Sequence, residues 1–204
     1  HYRELFEQIA KQGFLKVRIN GEIRDLETAD TAIQMALTGH LMLSTIHTNS
    51  ASGAIPRFLS MGVKPFLLAP ALNSVIGQRL VRRICEHCKE SYQPDAQVLK
   101  RVTEVLATLP EAEKGALPSD GVLSFSRGKG CSACSGLGYK GRIGIYELLV
   151  MTKEIEQLIL ANQVSETQIQ EFAVRDGMVT MVQDGIMKAL EHVTTPEEVF
   201  RVTE

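Results

Sequence analysis

The 204-residue chain contains no tryptophan, and aromatic residues make up only 5% of it. So sparse a set argues against a base-stacking platform for single-stranded nucleic acid. No apolar run approaches the roughly 18 residues that span a bilayer. Neither sign of charge dominates: 22 Lys and Arg stand against 24 Asp and Glu, a net charge of −2. That balance excludes a globally basic surface, and no nucleic-acid partner is expected. The first residues, HYRELFEQIAKQ, are charged and helical rather than an apolar leader, so the sequence reads as cytosolic and soluble. No segment recurs at a fixed period, which excludes a solenoid. The most consequential absence is a G-x-x-x-x-G-K-[ST] motif, whose backbone N–H groups and lysine cradle nucleotide phosphates.

What is present is an apolar fraction of 44%, enough to build a core. The spacing predicts a helix over 3–12 and a half-exposed strand in FLKVRIN, residues 14–20. ETADTAIQMALTGH, with Ala29, Ile33, Ala36 and Leu37 at helical spacing, predicts a helix ending before Gly39. LMLSTIHT reads as a short, buried strand. A helix is then expected from Asn49 or Ser50 to Gly62, and another through PFLLAPALNSVIGQRL, bent at Pro70. Helix, strand, helix, helix suits an α/β domain edge. From Tyr146 the pattern is helical to the end. Caps are expected at Thr152, at Ser165 with Gln168, and at Thr195 with Pro196 and Glu198.

The four cysteines, Cys85, Cys88, Cys131 and Cys134, form two C-x-x-C pairs. Each such turn sets two thiolates about one tetrahedral edge apart, and two turns complete a four-cysteine zinc site. A redox dithiol and unmetallated core thiols are the alternatives. The first lacks the strand context of thioredoxin-like proteins. A closed zinc site would pin residues 83–147 together and do no chemistry itself.

His40 and His47 bracket LMLSTI. Either can be an ordinary structural histidine. His47, however, falls at the C-terminal end of the strand, where open α/β sheets place their ligands, and Thr45, Thr48 and Asn49 add polar groups there. His40 falls at the opposite end, so one ligand touches both only at a boundary between protomers. In GEIRD, Glu22 follows a strand directly. It reads either as a surface acid or as a carboxylate that polarises a water or organises a Mg²⁺ shell.

GEIRDLETADTAIQMALTGHLMLSTIHTN resembles the Walker B end and histidine box of the motor ATPases of type II secretion and type IV pilus assembly. The likeness continues through QRLVRRICEHCK, the second cysteine pair, GYKGRIGIYELL and DGIMKALEHVTTPEEVFRVT, over about residues 21–204. The resemblance implies an α/β fold: the C-terminal part of a RecA-like ATPase domain, with a tetracysteine zinc insert and a C-terminal helical subdomain. It implies ATP and Mg²⁺ as well as zinc, a hexameric ring, and an inner-membrane platform protein as partner. It also implies a cytoplasmic location at that membrane. By it Glu22 is the catalytic acid, and His40 and His47 belong to a histidine box facing the γ-phosphate. Without a P-loop, ATP binding and turnover by this chain alone are expected to be largely lost. A non-catalytic, zinc-stapled interaction module is the other reading.

The expected division is 1–20, an atypical helix–strand segment; 21–82, a partial ATPase core; 83–147, the zinc module; and 148–204, the helical subdomain. Lys16 and Arg18 interrupt what the family builds as an apolar strand. HYRELFEQIAKQGFLKVRINGEI instead resembles a segment of the excinuclease ATPase of excision repair.

Overall fold

In the computed structural model, residues 17–118, 121–161 and 164–204 are described, with side chains from residue 22 onward. The helix expected over 3–12, and residues 14–16, lie outside them. The described chain is a mixed α/β protein of two compact units. Of the described residues, one unit comprises those up to 75 and within 149–172, the other those within 76–148 and 173–204. The tail after residue 147 is shared between both units.

In the first unit, β1 (Val17–Ile23) pairs in parallel with β2 (Leu41–Ile46). The crossover is α1 (Leu26–Leu37), which packs on both strands. Asp25 starts that helix by accepting the Thr28 N–H at 2.8 Å, and this bond holds its carboxyl below the ordinary carboxylate range. Ala29, Ala32 and Ile33 form the buried stripe, and Gly39, at φ +89°, turns the chain into β2. Helices α2 (Ala54–Ser60) and α3 (Pro65–Ala71) follow; α1 and α6 (Lys153–Leu160) both pack on α3.

Two expectations fail here. The helix after β2 begins at Ala54, with Gly53 in the cap position, and not at Asn49 or Ser50. The second concerns β2, read as buried: Leu43, Ser44 and Thr45 are exposed. An apolar run specifies a parallel strand covered on both faces, whereas β1 and β2 form only a two-stranded sheet among the described residues.

A third correction concerns VIGQRL. The helix at Pro65 stops at Ala71, and Ser74–Ile84 is a long strand, β3. Pro70 sits in the last turn, and Leu72 is extended at φ −90° and ψ 121°. β3 pairs with β6 (Tyr139–Val150). The Cys85 N–H donates to Gly138 O at one end of the ribbon and the Met151 N–H to Asn73 O at the other, so the strands are antiparallel. Cross-strand bonding over eleven residues outweighs local helix propensity. For the same reason the stretch from Tyr146 to Val150 is strand, and the helical tail starts only at Lys153, capped by Thr152.

In the second unit, β4 (Lys89–Tyr92) pairs antiparallel with β5 (Phe125–Gly128), and between them lie α4 (Ala96–Ala107) and α5 (Glu111–Lys114). After the short η1 turn (Ser132–Cys134) and β6, the chain continues to α7 (Glu166–Arg175), α8 (Met181–Leu190) and α9 (Pro196–Thr203). Val102, Leu106 and Phe125 share one core with Ile186, Ala189, Val199 and Phe200. The cysteine-bearing segment is thus not an insert held by its thiols alone; α8 and α9 complete its interior. Among the described residues no helix is long and apolar enough to cross a membrane.

Candidate functional site

Two clusters carry chemistry, one in each unit. The first stands at the C-terminal ends of β1 and β2. Register there matters: Ile19 pairs with Leu43, yet Glu22 pairs with Thr45, so β1 carries one extra residue between them. Such a bulge reverses which side chains face a given side of the pair, and it falls between Ile19 and Glu22, immediately before the candidate acid. Glu22 Oε1 lies 3.8 Å from His47 Nδ1, while its other oxygen accepts Arg24 Nε at 2.7 Å. The His47 side chain is 99% exposed and that of Glu22 31%. A pair this open contributes little to stability, so its arrangement leaves both groups available to a ligand. Arg24, just past the end of β1, was missed in the sequence; the legible signal was an opposite charge two residues from Glu22.

His40 is not part of this cluster. It precedes β2, with its Nδ1 3.2 Å from Thr38 Oγ1. At about 3.3 Å per residue it stands some 20 Å or more from His47 along the strand.

The second cluster is the cysteine site. All four Sγ atoms lie within 4.8 Å of one another. Cys85–Cys131 and Cys88–Cys134 are each 3.9 Å apart, and Cys131–Cys134 is 3.7 Å. A tetrahedral zinc with ~2.3 Å bonds sets its sulfurs about 3.8 Å apart, far beyond a disulfide's ~2.05 Å, and all four thiols are free. Backbone N–H groups already point at the sulfurs: Gly130 to Cys88 at 3.3 Å, Cys131 to Cys134 at 3.1 Å, and Gly138 to Cys134 at 3.3 Å. The donation from Cys131 pulls the Cys134 thiol down to about 6, while burial pushes Cys88 up to about 12. Cys134 ionises readily while Cys88 resists charge, a conflict that a divalent cation removes. Donor set, spacing and N–H bonds all fit zinc.

Glycines make this geometry accessible. A Cβ on Gly128 would stand 2.0 Å from the carbonyl oxygen of Gly138. The end of β5 and the residue leading into β6, which flank Cys131 and Cys134 in the chain, therefore pass backbone against backbone. We predict that Gly128→Ala, by forcing them apart, costs about 1–3 kcal/mol and speeds zinc loss to a chelator. Unchanged release kinetics would show that the crossing is tolerant.

Beside this site lies an ion triad. Glu198, 2% exposed, accepts the Arg82 N–H at 3.0 Å and Arg82 Nη2 at 2.6 Å. It also accepts Arg201 Nε at 2.8 Å and Nη2 at 2.7 Å. Sequence reading took Glu198 only as a cap residue. Its pairing with Arg201, one turn on, was legible; that with Arg82, 116 residues away, was not.

Residues 17–201 match the family described as Type II/IV secretion system protein, and the chain belongs to it. It is 50% identical over 184 residues to the type IV pilus assembly ATPase PilB of Thermus thermophilus, covering 90% of this chain and 19% of that protein. With the type II secretion system protein E of Pseudomonas aeruginosa it shares 46% identity over 183 residues, 90% of this chain and 34% of that one. It also resembles the solved ATPase DotB of Yersinia pseudotuberculosis, with a TM-score of 0.57 at 16% identity, over 96% of this chain and 39% of that chain. That likeness concerns the fold. The chain thus spans about a fifth to a third of the length of the first two relatives.

The match begins at residue 17, so β1 from Val17 lies within the family region. The resemblance of the N-terminal stretch to the excinuclease ATPase finds no support among these relatives.

Proposed function

We propose that this chain is the C-terminal part of a RecA-like motor ATPase that powers type II secretion or type IV pilus assembly. The observation that carries the reading is the Glu22–His47 pair, 3.8 Å apart and solvent-accessible at the C-terminal ends of two parallel strands. In open α/β sheets that is where ligands bind. In the assembled motor Glu22, held by Arg24, orients the water that attacks the γ-phosphate, and His47 reads that phosphate from beside it. His40, at the far end of β2, belongs to a boundary between protomers in a homo-oligomeric ring, a hexamer by family. Zinc holds the cysteine site closed, and the second unit passes motion to a platform protein of the inner membrane, so the motor works at that membrane's cytoplasmic face. Two observations support a larger parent: β2, with Leu43 exposed and Leu41, Met42 and Ile46 only half-buried, is the kind of strand other strands cover, and the relatives are several times longer.

The test is to place residues 17–204 behind an upstream half from a relative that carries a P-loop, and to measure ATP hydrolysis. We expect turnover in the fused protein and its loss, by a factor of about 10² or more, in Glu22→Gln. Undiminished turnover in that variant removes Glu22 from the mechanism. A second reading, a non-catalytic interaction module, rests on the missing phosphate cradle. Micromolar Mg-ATP binding by the 204-residue chain alone rules it out.

A further inference from the structure

The loop after His47, residues 48–53, is tied to a residue far along the chain. Glu166, the first residue of α7, accepts the Ser50 hydroxyl at 2.5 Å. Ser50 Oγ in turn accepts the Gly53 N–H at 3.0 Å, and Thr48 Oγ1 donates to the Ser50 carbonyl at 2.9 Å. Bonds at the carbonyl and at the hydroxyl of Ser50 therefore link the residue beside His47 to the start of α7. A hydroxyl that accepts and donates at once strengthens both bonds, and a hydroxyl–carboxylate bond is of the strong, charge-assisted kind. Residue 53 is shaped for the approach: a Cβ there would lie 3.2 Å from Ser50 Oγ and 3.4 Å from the Glu166 carboxyl.

Helix capping does not account for Glu166. The end of α7 is already served by Ser165, whose hydroxyl accepts the Gln168 N–H at 3.1 Å. An acid in a first turn gains from the helix dipole whichever way it points; this one reaches a serine 116 residues away. The chain then passes from the first unit into the second within α7, between Phe172 and Ala173.

Taking the Glu22–His47 pair as the site proposed above, we infer that Glu166 is a positioning residue for His47. It fixes the loop on the C-terminal side of that histidine, so the placement of α7 sets the placement of the imidazole. Neither Ser50 nor Glu166 touches the reacting groups; both act through the loop.

The test uses the 204-residue chain without nucleotide and compares Ser50→Ala, Glu166→Ala, the isosteric Glu166→Gln, the double variant Ser50→Ala/Glu166→Ala, and Ser50→Thr, which keeps the hydroxyl. Amide hydrogen exchange is followed at residues 48–53 and the His47 ring signal by NMR. Each of Ser50→Ala, Glu166→Ala and Glu166→Gln is expected to speed exchange there about tenfold and to move the ring signal. The double variant should do no more than either single, Ser50→Thr should behave like the parent, and residues 181–204 should not respond. Unchanged exchange and ring signal in both Glu166 variants overturn the inference, as does a double variant whose effect is the sum of two. An inactive fusion protein in the hydrolysis assay would end the motor reading and leave this measurement to decide the loop contact by itself.

Discussion

Cys131→Ser is expected to release zinc and to loosen the second unit well beyond the metal site. Three thiolates and a hydroxyl bind zinc far more weakly than four thiolates, and apparent binding energies of about 10–16 kcal/mol in small zinc domains are folding energies. The cysteine segment alone would be expected to melt and leave the tail helices folded. The contacts give a wider result. Three side chains near the cysteine pairs hold the start of α9: Tyr139 OH lies 3.0 Å from Thr195 Oγ1, Tyr92 OH donates to Glu197 at 2.6 Å, and Arg82 pairs with Glu198. Arg82 also lies over the Tyr139 ring, 4.4 Å from its centroid. The Ile84 N–H, one residue before Cys85, donates to Val193 O at 2.9 Å. Metal analysis and hydrogen exchange on the same variant should show lost stoichiometric zinc and faster exchange over both 85–139 and 192–204. Unchanged metal content counts against the four-cysteine site. Lost metal with full protection of 192–204 would show instead that α9 holds its place without it.

Glu198→Ala should lower stability by about 3 kcal/mol, because it strips a buried carboxylate from two guanidiniums and from the Arg82 N–H. For a chain of this size that is a fall in Tm of about 6–12 °C. The pH dependence is the sharper signature. Burial works against the charge, yet the hydrogen bonds from Arg201 and Arg82 outweigh it and hold the carboxyl at about 2, below its ordinary 4.5. The native state therefore releases this proton more readily than the unfolded chain. The contribution is complete above pH ~4.5 and disappears as pH falls toward ~2, at most about 3 kcal/mol from this one group. Denaturant titrations of parent and Glu198→Gln should converge across that interval. Parallel curves that keep their separation down to pH ~2 would mean the triad contributes nothing through ionisation.

The second prediction also marks where sequence reading stopped. Thr195, Pro196 and Glu198 announced a helix start, because a cap is a contract among residues within four positions. Thr152 and Ser165 were legible for the same reason. The second bond of Glu198, to Arg82, has no sequence signature, because any strand can carry an arginine and only packing decides which acid it meets. β3 shows the same limit in another form. VIGQRL satisfies a helical reading, and a partner strand more than fifty residues later made it a strand.

The sequence by itself determined what depends on near neighbours and on residue chemistry: the C-x-x-C pairs, the cap-defined helix starts, and the acid and histidine at two strand ends. The tertiary structure alone decided which distant groups meet. It brought Glu22 within 3.8 Å of His47 and left His40 outside. It gathered four sulfurs within 4.8 Å, and it tied Ser50 to Glu166. The physical reason is range. Local propensity acts over a few residues through backbone geometry, whereas pairing register, ion triads and metal sites are set by which surfaces the chain buries together, and no short stretch of sequence specifies that.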